Sequence, residues 1–140
     1  EARRAGKKLY LPVLRAKPDR ALWFCEFRPG DPLLSNRFGI REPDIRRRPP
    51  QPPWGLDLIL LPLVGFDAQG NRLGMGGGFY DRTFSFLRHR NHWHKPLLIG
   101  VAHECQQVGS IDAQPWDIPL DGVITEAGFY LQPKKNKKIP

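Results

Sequence analysis

A chain of 140 residues is long enough for one domain with a real core. Its 40% apolar content, with four Trp and eight Phe, is that of a globular rather than a disordered protein. No run of about 18 apolar residues occurs, so no membrane-spanning helix is expected, and Glu1 to Lys8 holds no apolar signal region. The net charge of +8 is concentrated in Lys134, Lys135, Lys137 and Lys138 and in Arg46, Arg47 and Arg48. Those seven set aside, 15 basic residues face 14 acidic ones. The body is therefore nearly neutral, and both clusters lie in low-complexity surroundings where a charge run is usually solvated. This argues against nucleic acid and leaves an anionic substrate compatible with the bias. Cys25 and Cys105 make neither a disulfide framework nor a zinc ligand set, and two buried thiols in a reducing cytoplasm are expected.

In chain order, residues 1–5 read as the last turn of a helix, stopped by Gly6, whose beginning precedes the sequence. Strands are expected over 8–14 and 21–27, then one or two helical turns over 33–37. Residues 42–54 hold five prolines and are expected to form an extended surface connection. The continuously apolar run 58–64 predicts a strand covered on both faces, with Pro62 near its end. Further strands are expected over 97–102 and 122–125, joined by crossovers through 65–96 and 103–121. The fold class is α/β: a layered single domain with a mostly parallel sheet flanked by helices, its nucleotide-binding loop at the strand C-terminal ends. Residues 1–130 form that domain and 131–140 a basic tail.

The segment Gly74-Met75-Gly76-Gly77-Gly78-Phe79-Tyr80-Asp81-Arg82 opens a helix-like stretch over 80–88. A glycine-rich loop before a helix brings unpaired N–H groups close to an anion. No Lys-Ser or Lys-Thr closes it, and the third glycine of a dinucleotide fingerprint falls on Phe79, so neither familiar nucleotide loop is present. The glycines alone equally allow a loop that only turns tightly. Asp81, and Asp117 from a rigid loop before the last strand, are candidate ligands for hydrated Mg²⁺; dipole and turn roles are their alternatives. His89, His92 and His94 mimic a metal site but lie in a polar helix end and read as surface residues. His103, which follows a strand, either lines the site or merely caps it, and Phe79 and Tyr80 either flank a planar ring or pack in the core.

Residues 70–82, ending Tyr80-Asp81-Arg82, resemble the signature of the 5-formyltetrahydrofolate cyclo-ligase family. The stretches 7–13, 36–43 (with Gly39-Ile40-Arg41-Glu42-Pro43), 100–104 and 116–125 resemble other landmarks of that family, in the same order. The resemblance implies an ATP- and Mg²⁺-dependent ligase that converts 5-formyltetrahydrofolate to 5,10-methenyltetrahydrofolate. It implies that Arg72, Leu73, Gly74, Met75, Gly76, Gly77, Gly78, Phe79 and Tyr80 hold ATP. Met75 to Phe79 would also face the folate, and Asp81 and Asp117 would bind Mg²⁺. The expected partners are thus small molecules, with a cytoplasmic monomer and no membrane. Two departures stand out: Met75 and Gly77 are neutral where some relatives carry basic residues, and the family's N-terminal helices precede the region given. Were those helices absent from the molecule, weak activity and an exposed apolar sheet face are expected. A non-catalytic nucleotide- or anion-binding module is the alternative, with an RNA-associated protein third.

Overall fold

The computed structural model describes residues 1–15, 20–89 and 95–132. It divides into two compact units, Glu1–Gly55 and Leu56–Pro140.

The first unit opens on turns. The Lys7 N–H donates to the Ala2 carbonyl at 3.1 Å and the Gly6 N–H to Arg3 at 3.0 Å, with Gly6 at φ +73°. This is the hydrogen-bond pair that ends helices, and glycine takes the left-handed position at no steric cost. Strands β1 (Tyr10–Leu14) and β2 (Leu22–Glu26) then pair antiparallel, Val13 opposite Trp23. Val13, Leu22, Phe24 and Cys25 are buried. Burial pushes the Cys25 thiol upward, and its Sγ donates to the Arg48 carbonyl at 3.3 Å.

The helical turns expected over 33–37 are instead β3 (Leu33–Ser35), which hairpins onto β4 (Arg41–Pro43). Asn36 decides this. Its Oδ1 accepts the N–H groups of Phe38 and Ile40, and Gly39 turns at φ +71°, so the side chain gives the backbone a turn in place of a helix. The proline-rich stretch is not wholly a surface connection either. Pro43 and Pro53 are buried, Gln51 exchanges two 2.8 Å backbone bonds with Phe24, and a 3-10 turn follows over Pro53–Gly55. Arg46 pairs with Asp44 at 2.7 Å and Arg48 with Asp31, so two of the three clustered arginines are countered by acids.

The second unit is built on a four-stranded sheet whose strands lie in the spatial order Phe129–Leu131 (β10), Gly122–Ile124 (β9), Leu97–Val101 (β8) and Leu58–Pro62 (β5). Strands β5 (Leu58–Pro62), β8 (Leu97–Val101) and β9 (Gly122–Ile124) run parallel, and β10 (Phe129–Leu131), which the sequence did not suggest, closes one edge antiparallel. The sheet is thus mixed, with Pro62 at the end of its strand. Between β5 and β8 a small hairpin, β6 (Gly65–Phe66) and β7 (Arg72–Leu73), precedes the single described α-helix, α1 (Phe79–Thr83), and a 3-10 turn over Ser85–His89. The crossover from β8 to β9 carries only a 3-10 turn, Glu104–Gln106, because Gly109, Pro115 and Pro119 interrupt any longer helix. The flanking helical layers expected from sequence are absent among the described residues.

The registry places Ile59, Leu61, Leu98, Gly100 and Val123 on one face, and all are buried. On that face Gly100 lies against Leu63 and Leu120. The other face bears Leu58, Leu60, Leu97, Val101, Ile124, Phe129 and Leu131, all exposed, Leu60 at 57%, and Ile99, which is buried between Leu60 and Gly122. The expectation that β5 is covered on both faces is therefore overturned. A continuously apolar strand reads the same in sequence whether one face is covered or two. Cys105 is exposed rather than buried. Among the described residues no helix is long and apolar enough to cross a membrane.

Candidate functional site

The site begins at the turn of the β6–β7 hairpin, which Asp67 organises. Asp67 is 1% exposed. Its Oδ1 accepts the N–H groups of Gln69 (3.0 Å) and Asn71 (2.9 Å); Oδ2 accepts Asn71 Nδ2 (3.0 Å) and the Ile111 N–H (3.0 Å). Burial alone would raise this carboxyl, but the hydrogen bonds outweigh it and hold it below the usual range. Gly70 completes the turn at φ +82°, and its carbonyl accepts the Leu120 N–H at 3.0 Å. Gln106 braces the other side: its Nε2 donates to the carbonyls of Leu63 (2.9 Å) and Val64 (3.0 Å). The Val64 N–H in turn donates to Leu73 at 2.8 Å. The hairpin that launches the glycine loop is thus fixed at its turn and at its base. The loop leaves from β7, not directly from the long apolar strand.

Beyond Leu73 the chain opens. Met75 is 96% exposed, and a Cβ built on Gly76, which sits at φ +87°, would meet nothing within 4 Å among the described residues other than its chain neighbours. Gly78 precedes α1 at φ +68°, a left-handed position that favours glycine. Arg82 reaches back to the Gly77 carbonyl at 2.8 Å. Tyr80 stacks on Phe84, ring centroids 6.3 Å apart, and burial raises its phenol while Arg72 opposes the rise.

Arg72 and Asp81, nine positions apart, meet across the loop: Nη2 lies 2.7 Å from Oδ1. The Arg72 side chain is 7% exposed, and its guanidinium stands 5.8 Å over the Tyr80 ring. Its Nε is buried without a hydrogen-bond partner among the described residues. The same Asp81 Oδ1 accepts the Ile118 N–H at 3.1 Å, and Arg88 donates to the Trp116 carbonyl. The loop bearing Asp117 is thereby tied to the segment bearing Asp81. Asp117 Oδ2 accepts the Gln114 N–H at 2.8 Å, closing its own turn. Each carboxylate has one oxygen engaged by protein and a second with no partner among the described residues. Two such hard oxygen donors suit a hydrated Mg²⁺, which accepts one or two carboxylates and keeps phosphate oxygens and water. Among the described residues no three His, Cys, Asp or Glu cluster as a self-sufficient metal cage.

Other candidates fall elsewhere. His89 is exposed, and His92 and His94 lie outside the described residues, as do Lys134 to Lys138. The His103 side chain is 81% exposed and 3.7 Å from Glu126, while its backbone N–H donates to Gln106. Beside it, Glu104 accepts Thr125 Oγ1 (2.5 Å) and the Tyr130 hydroxyl (2.7 Å), joining the ends of β8, β9 and β10. Sequence reasoning passed over Asp67, Arg82, Arg88 and Gln106. Only Asp67 carried a local signal, the Asp-x-x-Gly pattern of a turn.

The family model described as the 5-formyltetrahydrofolate cyclo-ligase family matches residues 1–126. The chain belongs to the 5-formyltetrahydrofolate cyclo-ligase family. The cyclo-ligase of Escherichia coli K12 is 45% identical over 127 residues, covering 91% of this chain and 68% of that protein. The Haemophilus influenzae cyclo-ligase is 41% identical over 119 residues, covering 85% of this chain and 62% of that protein. The solved 5,10-methenyltetrahydrofolate synthetase of Aquifex aeolicus superposes with a TM-score of 0.71 at 30% identity, over 96% of this chain and 62% of that one. The chain thus spans about two thirds of the length of these cyclo-ligases.

Proposed function

We propose that this chain carries the catalytic glycine-loop region of an ATP-dependent 5-formyltetrahydrofolate cyclo-ligase, which forms 5,10-methenyltetrahydrofolate with release of ADP and phosphate. The observation that carries the reading is the Asp81–Ile118 hydrogen bond, which joins the glycine-loop segment to the Asp117 loop in a chain of this family.

The chemistry needs an activated formyl oxygen. In the proposed reaction that oxygen attacks the γ-phosphorus of ATP and ADP departs. N10 of the folate then attacks the formyl carbon and gives up its proton, the ring closes, and the C–O bond to phosphate breaks. Phosphoryl transfer of this kind depends on positioning and on charge stabilisation rather than on a protein nucleophile. Residues Arg72 to Tyr80 bind the ATP phosphates, with loop N–H groups as donors; the exposed stretch Met75 to Phe79 also faces the folate. Asp81 and Asp117 hold Mg²⁺, which when bound neutralises phosphate charge. The hairpin held by Asp67 and Gln106 orients the loop. The setting is the cytoplasm, and the chain acts as a monomer on small molecules.

The test is the near-ultraviolet absorbance of methenyltetrahydrofolate formed from 5-formyltetrahydrofolate, ATP and Mg²⁺. It compares this chain, the same chain extended at its N-terminus, and Asp81→Asn. ATP-dependent product abolished in Asp81→Asn supports the proposal. A folded, nucleotide-binding extended protein that makes no product refutes it in favour of a binding module.

A further inference from the structure

The Arg72–Asp81 contact couples two groups that the proposed function sends to different ligands. Arg72 is assigned to phosphate and Asp81 to the cation, yet the two lie 2.7 Å apart and cancel one another's charge. We infer that this ion pair is a partner-exchange latch: magnesium nucleotide breaks it, Arg72 turning to the phosphates and Asp81 to the cation. The inference rests on the proposed nucleotide site.

Three observations carry it. First, Arg72 is 7% exposed but incompletely paired, because its Nε has no acceptor among the described residues. An unmade hydrogen bond on a buried cationic side chain is a standing penalty. A phosphate removes it, since its oxygens accept two parallel N–H bonds from a guanidinium. Second, the guanidinium already lies against the loop: a Cβ built on Gly74 would stand 3.2 Å from Arg72 Nη1. Beyond it, such an atom on Gly76 would meet nothing within 4 Å among the described residues other than its chain neighbours. A short movement therefore carries the positive charge into open loop space. Third, Asp81 Oδ1 holds both Arg72 and the Ile118 N–H. Release of Arg72 leaves the tie to the Asp117 loop in place while freeing Asp81 from its cationic partner.

The latch makes nucleotide and Mg²⁺ mutually dependent. Bare ATP meets an arginine already neutralised, and the free cation meets an aspartate already paired. Each ligand weakens the contact that opposes the other, and such coupling is reciprocal.

The experiment is calorimetric titration of ATP, in EDTA and in Mg²⁺, into wild type, Asp81→Asn, Arg72→Gln and the double variant. Asp81→Asn should bind Mg²⁺-free ATP about tenfold more tightly than wild type, the size of one charge-assisted hydrogen bond. The gain should vanish in the double variant, because the freed guanidinium is its source. Asp81→Asn that keeps its circular dichroism and binds bare ATP no more tightly than wild type overturns the latch. So does a gain that persists without Arg72, which is plain charge removal. Should a variant not fold, the Arg72 Nε–H resonance of wild type decides: it shifts on saturation with Mg·ATP if the latch opens, and a stationary signal overturns the latch. Wild type that binds nucleotide under neither condition overturns the proposed function itself.

Discussion

Replacing Asp67 by Asn tests the hairpin as the foundation of the glycine loop. Asp67 accepts four hydrogen bonds at 2.9–3.0 Å from a site 1% exposed. Asn keeps one oxygen, which continues to serve Gln69 and Asn71. Its amide nitrogen then faces two donors, Asn71 Nδ2 and the Ile111 N–H. Asn71 can turn its own oxygen inward, but a backbone N–H cannot reverse, so Ile111 is left unpaired. That loss, with the weakening of two bonds that had a charged acceptor, costs about 2 kcal/mol. For a chain of this size the melting temperature falls by about 6 °C. The sign of the pH dependence is equally defined. The folded carboxyl lies below its unfolded value, so its stabilisation is full above the unfolded value of about 3.9 and disappears as pH falls through the folded one. Urea unfolding at neutral and acid pH measures both. A loss under about 0.5 kcal/mol at neutral pH, or a difference that does not narrow on acidification, would refute the reasoning.

Three further outcomes are expected. Gly122→Ala places a Cβ 2.8 Å from the Tyr130 carbonyl oxygen, which is backbone; β10 is pushed off and the chain loses about 2 kcal/mol. Hydrogen exchange at Tyr130 and Gln132, whose N–H groups face β9, should accelerate while β5 and β8 stay protected. Gly76→Ala meets no neighbour but forces a side chain to φ +87°, costing about 1 kcal/mol through the loop backbone alone. Its nucleotide affinity should therefore fall more than its melting temperature, and the reverse would place strain elsewhere. Asp117→Asn keeps an acceptor for Gln114 and removes one charge. The Mg²⁺ concentration needed for half-maximal turnover should rise on the order of tenfold with stability unchanged; an unaltered Mg²⁺ profile would remove Asp117 from the proposed site.

What could be read beforehand depended on how local each signal was. The glycine loop, the end of β5 at Pro62 and the stop at Gly6 rest on single residues with restricted backbones, and these were legible. The Leu33–Ser35 strand was not, because Asn36 and Gly39 fold it back through side-chain bonds that no periodicity announces. β10 is three residues beyond a Gly and gains its place only by pairing with β9. Burial on one or two faces of β5 depends on what the rest of the chain lays over it, so an unbroken apolar run misled. The Arg72–Asp81 contact spans a loop without fixed spacing. Both residues were singled out for other reasons, yet their meeting is a property of the folded hairpin.

The open sheet face has a practical consequence for anyone who measures these variants. Seven large apolar side chains in adjacent strands form the kind of surface on which environment-sensitive dyes fluoresce. Dye emission is normally taken as the mark of a loosened, partly folded state. Here the intact sheet supplies that surface from the start, so a dye-based melt begins bright and its rise underreports unfolding. Circular dichroism or tryptophan emission, which follow the backbone and the four indoles instead, give the transition its true amplitude.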